Sequence, residues 1–250
     1  MAAASTPTVK DTVRKRKFED ALGSEGGFIQ REAELQEEQE EFARVGQPAL
    51  VVRVVTEVCA EPGRGSLGLA GFAWPAGRLL AELLLKPQPL GQDWQARLAP
   101  PLRVLELGAG VALPSLCLSC QGHDCIATDC PEALKITAAN AAANQAAALQ
   151  SGGRLVAMRL QLGDSAAAKE ITEITQAASC QPGFHLVLAA DISYDPVLYQ
   201  PLVDTLRAIR FQHLLIAVVQ RPDLGEETFE NFCRDESLTL LPRTAFVSGA

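Results

Sequence analysis

The 250-residue chain has no apolar run close to the roughly 18 residues that a membrane-spanning helix needs. Positive charge is scarce: 22 Lys and Arg stand against 30 Asp and Glu, giving a net charge of −8 at pH 7. Gripping nucleic acid by its phosphates takes a basic face, so nucleic acid is a poor match as a partner. Met1 to Lys10 lack the apolar core of a secretory signal. Seven cysteines are an odd number, and without an export signal reduced thiols in the cytosol or nucleus are expected. What is plentiful is apolar content, 48%, enough to offset the entropy of ordering and exclude disorder of the whole chain. The expectation is a soluble, monomeric, cytoplasmic or nuclear protein.

Charge is spread unevenly. Residues 1–48 hold ten carboxylates and seven basic residues, including the knot Arg14-Lys15-Arg16-Lys17, readable either as a solvated charge run or as an import signal. Gln30 to Arg44 is rich in Glu and Gln with almost no apolar stripe, so a helix there would be solvated. Residues 1–45 are therefore expected to be a disordered or loosely helical extension, and 46–250 a single domain.

Within that domain Ala49 to Cys59 is β-branched and strand-like, and Trp74-Pro75 opens an apolar helix to Leu85. Short apolar strands are expected at 103–107, 124–128, 154–162, 185–190, 213–219 and 238–246. Helical patterns lie between them at 113–120, 131–149, 169–178, 196–209 and 226–234. Such alternation means a doubly wound, mostly parallel, Rossmann-like α/β sheet with helices on both faces.

In such a sheet a ligand lies beyond the carboxyl ends of the strands, where the strand order reverses. The first strand of the wound unit ends in Glu106-Leu-Gly108-Ala-Gly110. Gly108 permits a tight bend, and Gly110 lets a ligand approach the backbone. A dinucleotide site would want a third glycine where Leu113 stands, and amide donors where Pro114 has none. The acid Glu106 suits a ligand with an ammonium group better than one with phosphates. S-adenosylmethionine has that ammonium, a sulfonium and no phosphate. Asp129, at the end of the next strand, can accept the ribose hydroxyls or cap the following helix.

These residues resemble the seven-β-strand methyltransferases, and more narrowly methyltransferase family 16, the protein-lysine methyltransferase-like group. The resemblance is carried by Trp74-Pro75-Ala76, Glu106 to Gly110, Thr128-Asp129, Asn140 and Asn144. Ala190-Asp191-Ile-Ser-Tyr194 carries it too, as do Gln220-Arg221 with Glu227 and Phe229. It implies that Trp74 lies against the methionine part of S-adenosylmethionine, with Gly108, Ala109 and Gly110 lining the donor. It further implies that Asp129 holds the ribose, that Ala190 closes the pocket, and that Asp191 and Tyr194 flank the entry of the acceptor. Leu162 stands beside the adenine where the family often has tryptophan. The family also carries a last antiparallel strand, for which little chain remains after Phe246.

Methyl transfer from a sulfonium needs a neutral, aligned nucleophile, and a lysine of pKa about 10.4 must first lose its proton. Asp191 can hold the incoming ammonium and Tyr194 can orient its nitrogen; capping near Pro196 and ordinary packing are the alternatives. The expected partner is a protein substrate methylated on lysine, with arginine, histidine or a small molecule as other acceptors. A non-catalytic interaction protein that keeps the fold is the rival reading. Cys117, Cys120, Cys125 and Cys130 with His123 are dense enough to suggest a metal, but they fall on a helix and a strand where thiols pack as hydrophobes, so no metal is expected. His123, in a turn, is expected to be exposed.

Overall fold

The structure is a computed structural model and describes residues 33–44, 46–59, 66–91, 93–176, 183–219 and 228–235. Strand β1 (Leu35–Arg44) pairs antiparallel with β2 (Gln47–Glu57), with Gln36 opposite Thr56 and Glu40 opposite Val52. The Glu/Gln-rich stretch expected as a solvated helix is thus a strand over 35–44, inside the segment expected as an extension. Only Leu35 and Phe42 of β1 are buried, so neither helical nor alternating periodicity is legible there. Charged side chains are what an edge strand carries to prevent further pairing. The basic knot at 14–17 lies outside the described residues.

The other edge of β2 is closed by a helix. From α4 (Leu134–Gln150), Asn140 accepts from the Val55 amide at 2.7 Å and donates to the Val55 carbonyl at 2.8 Å. One turn on, Asn144 accepts from the Arg53 amide at 2.8 Å and donates to the Arg53 carbonyl at 2.6 Å. Each side-chain amide stands in for a strand peptide, so α4 holds the hairpin as a neighbouring strand would.

The main sheet contains β3 (Arg103–Leu107), β4 (Asp124–Asp129), β5 (Arg154–Arg159), β6 (Phe184–Ala190) and β7 (Phe211–Ala217). All neighbours are parallel, in the order β5-β4-β3-β6-β7. This is the Rossmann-like α/β architecture the sequence implies. Val104, Leu186 and Leu188 pack toward α1 (Pro75–Leu85) and α3 (Leu113–Ser119). Leu105, Leu107, Val187 and Ala189 pack against α5 (Ser165–Gln176), α6 (Tyr199–Ala208) and α7 (Phe229–Asp235) on the opposite face. Strands buried on both faces become uniformly apolar, which is why their positions were readable. The loop between α1 and β3 also holds a short helix, α2 (Trp94–Arg97). The strand expected at 238–246, and Gln220, Arg221 and Glu227, lie outside the described residues.

Cys117 and Cys125 are fully buried and Cys120 nearly so, packed as hydrophobes. His123 is not exposed as expected: it is 2% accessible because the chain entering β3 roofs its turn. Its Nδ1 accepts from the Leu102 amide at 3.3 Å, and burial lowers its pKa to about 4, so the ring is neutral.

Candidate active site

The chain runs outward from β3 to β5, then crosses back to β6 on the other side of β3. The order reverses between β3 and β6, and a cleft of about 460 Å³ opens there at the carboxyl ends of the strands.

Its floor is the glycine turn after β3. Gly108 has φ +58°, and a Cβ on it would come within 2.5 Å of Ile192 Cγ2. Gly110 has φ +51°, and its Cβ would meet the Ala70 carbonyl at 3.2 Å. Both positions therefore need glycine for backbone conformation and for space. The Gly110 peptide is held from two sides: its amide donates to Asp129 Oδ2 at 2.7 Å, and its carbonyl accepts from the Thr137 hydroxyl at 2.7 Å.

Glu106 sits beneath this turn, 2% accessible, and accepts from the Ser115 amide at 3.0 Å. Burial pushes its pKa up to about 7, against the pull of that hydrogen bond. Asp129 ends β4 and is also lifted by burial, while the amides of Gly110 and Cys130 partly counter the rise. It does not cap α4, which begins five residues later; its Oδ1 accepts from the adjacent Cys130 amide at 2.8 Å.

Beyond β6, Asp191 adopts a left-handed φ of +52°, and its amide donates to the Ala217 carbonyl at 2.9 Å. Aspartate tolerates that conformation better than most residues. The cap ahead of Pro196 is supplied by Asp195, whose Oδ1 accepts from Val197, and not by Asp191. Tyr194 is 40% exposed. Burial raises its phenol above the ordinary value, and the carboxylates of Asp129, Asp195 and Asp191 raise it further.

The residues singled out in the sequence meet in this one cleft: Trp74, Glu106, Gly108, Ala109, Gly110, Asp129, Leu162, Ala190, Asp191 and Tyr194 all line it. Trp74 is fixed by its indole N–H donating to the Leu69 carbonyl at 2.8 Å and by an edge-on contact with Phe72, ring centroids 5.0 Å apart. Leu69 and Phe72 line the cleft too, each 40% exposed, and were not anticipated. They fall in the glycine-broken stretch before Trp74, where no periodicity marks a side chain's direction. Asn140 and Asn144, read with the site motifs, instead clamp β2.

The lining has a decisive imbalance. Glu106, Asp129, Glu132 and Asp191 all contribute carboxyl groups, and among the described residues no Lys, Arg or His lines the cleft. A phosphate-bearing ligand would meet repulsion there, and a cationic one attraction.

Residues 60–235 match the sequence pattern of a family described as lysine methyltransferase. The chain belongs to the lysine methyltransferase family. It is also 31% identical over 166 residues to a mouse protein, EEF1A lysine methyltransferase 3, covering 65% of this chain and 61% of the relative. The chain thus spans about three fifths of the length of that relative. Class I methyltransferases of this kind generally use S-adenosylmethionine, and their fold is the one found here. Among the described residues no group of three or more His, Cys, Asp or Glu is placed to hold a metal, and no helix is long and apolar enough to cross a membrane.

Proposed function

We propose that this protein transfers a methyl group from S-adenosylmethionine to the ε-amine of a lysine in a protein substrate. The observation that carries the reading is a cleft at the switch point of the sheet lined, among the described residues, by four carboxylic residues and no base. A sulfonium donor with an ammonium group is cationic, and so is a lysine on arrival. The mouse relative bears the name of a lysine methyltransferase, which favours the same acceptor.

The residues present fit the donor. A volume of about 460 Å³ lies within the range of small-molecule sites. Gly108 and Gly110 leave backbone, not side chain, facing the ligand, and Asp129 is partly accessible at the strand end where it can accept ribose hydroxyls. Glu106 offers a buried negative charge to the ammonium, Trp74 an aromatic face, and Leu162 an apolar surface for the adenine. When bound, the donor supplies an electrophilic methyl group. Asp191 attracts the lysine ammonium to the mouth, and Tyr194 directs the nitrogen after proton loss, which the nearby sulfonium charge favours. Ala190, with no bulk beyond Cβ, closes the pocket without blocking the line of attack. We also place the protein in a reducing compartment, cytosol or nucleus; six free thiols and no disulfide among the described residues support this.

The test is purified full-length protein, titrated calorimetrically with S-adenosylmethionine and incubated with cell lysate and methyl-labelled donor. The expected result is saturable donor binding and label on lysine in mass spectra of the modified protein. Absence of both would overturn the reading; label on arginine, histidine or a small molecule would replace the acceptor.

Glu106 adds a pH signature. Its carboxyl titrates near pH 7 without ligand, and a cation beside it favours the ionised form. Protons therefore leave on binding, and affinity rises as Glu106 ionises. Between pH 5.5 and 7.5, each an approximate bound on that titration, the donor should bind up to about tenfold tighter at the higher pH. Glu106→Gln should flatten the profile. Wild-type affinity independent of pH over this range would count against the role of Glu106.

A further inference from the structure

A second cavity, of about 290 Å³, lies on the hairpin beside the cleft. Gln36, Glu38 and Glu40 from β1 form one wall, and Val54 and Thr56 from β2 form its base. Phe72 and Ala73 line both this groove and the active-site cleft, so the two run into each other. Phe72 stands at that junction with 40% of its surface exposed, an apolar side chain left open where the two spaces meet.

The groove carries more negative charge than it neutralises. Arg78, from α1, pairs with Glu40 and also reaches Glu82 at 3.3 Å, so one cation serves two carboxylates. Glu57 is occupied at the end of the groove, accepting from the amides of Ser66 and Leu67 and from the Ser66 hydroxyl at 2.6, 3.0 and 2.8 Å. Glu38 is exposed and has no cation paired with it among the described residues. Burial and the carboxylates of Glu38 and Glu82 lift the pKa of Glu40, against Arg78, as expected where like charge is in excess. The base of the groove is also held in place, because the paired amide contacts of Asn140 and Asn144 fix β2.

We propose that this groove receives a basic segment of the protein acceptor, the lysine and arginine side chains beside the target residue, and that the segment passes over Phe72 into the cleft. The proposal rests on the reading of the protein as a lysine methyltransferase and adds to it the chemistry of the flanking sequence. Two features select this occupant: the charge of the groove is complementary to it, and the groove is continuous with the cleft where the target side chain reacts. Glu38 and Phe72 are then specificity-determining residues. An acceptor lysine in a neutral or acidic context loses the groove and is methylated poorly.

The test compares two charge reversals on one strand of the full chain. Glu38→Lys changes the groove, while Glu41→Lys makes the same change at an exposed position on the opposite face of β1. The probe is a fluorescein-labelled peptide of alternating lysine and glycine, followed by anisotropy in the presence of S-adenosylhomocysteine. Glu38→Lys is expected to weaken the peptide about tenfold, and Glu41→Lys less than about threefold. Equal losses would reduce the effect to general surface charge and overturn the proposal. Unchanged binding by Glu38→Lys would overturn it as well. Labelled-donor transfer to lysate, measured on the same samples, separates the two readings. Wild-type protein that binds the peptide site-specifically but labels nothing fails as a methyltransferase and keeps the groove. Wild-type protein that labels lysines, with a Glu38→Lys variant that binds peptide normally, fails the groove alone.

Discussion

Asp191→Asn is expected to lower methyl transfer about a hundredfold while leaving donor affinity within about threefold. Asparagine is the informative replacement because it tolerates the left-handed φ of +52° as aspartate does, so the hydrogen bond from its backbone amide to the Ala217 carbonyl survives. What disappears is the charge at the mouth of the cleft. In the proposed function the glycine turn, Asp129 and Glu106 hold the donor deeper in the cleft, so its binding should be nearly untouched. Alanine would add backbone strain of about 1 kcal/mol and confuse the two effects. The measurement is single-turnover transfer of labelled methyl with calorimetric donor titration on the same preparation. Transfer at the wild-type rate would remove Asp191 from the chemistry and reassign it to setting the β6 exit.

The paired substitution Asn140→Ala and Asn144→Ala is expected to cost the fold most. Each asparagine makes two hydrogen bonds to one residue of β2, and α4 covers the strand edge that its loss exposes. Alanine at 140 leaves the amide and carbonyl of Val55 without a partner in a buried interface, and alanine at 144 does the same to Arg53 in a partly buried one that water can reach. About 3 kcal/mol at Asn140 and about 1 kcal/mol at Asn144 are the expected losses, a large part of the roughly 5–15 kcal/mol that holds a domain together. The sites share a strand, so the double variant should fall short of the sum. Urea unfolding followed by circular dichroism measures it. A loss under about 0.5 kcal/mol in the double variant would show that packing, not the amide pairs, holds the hairpin. Because the hairpin forms the wall of the acidic groove, the single variants should also weaken basic peptide before they affect the donor.

How much was legible can be judged from particular elements. Val104 to Leu107, Cys125 to Thr128 and Leu186 to Ala190 read as strands because a parallel strand buried on both faces must be apolar at nearly every position. Glu106 and Asp129 read as candidate site residues because they lie at the carboxyl ends of such strands, the end where this class of fold places its ligands. β1 could not be read, since eight of its ten residues are not buried and its pairing depends on β2 across a turn. His123 was misjudged because its cover comes from Leu102, outside its own turn. Asn140 and Asn144 were noticed at the right spacing, one helical turn apart, but nothing in that spacing says that a strand lies opposite.

The sequence by itself determined the class of fold, the place of the cleft and the carboxylates at its strand ends. Each follows from local pattern: periodicity, a glycine turn, and carboxylates at strand ends. The tertiary structure alone decided which polar residues build and which bind. It brought Phe72 and Leu69 to the cleft, turned the acidic stretch into an edge strand, and joined a second groove to the first. Those outcomes depend on contacts between residues far apart in the chain, such as Val55 with Asn140, and no local pattern encodes the partner.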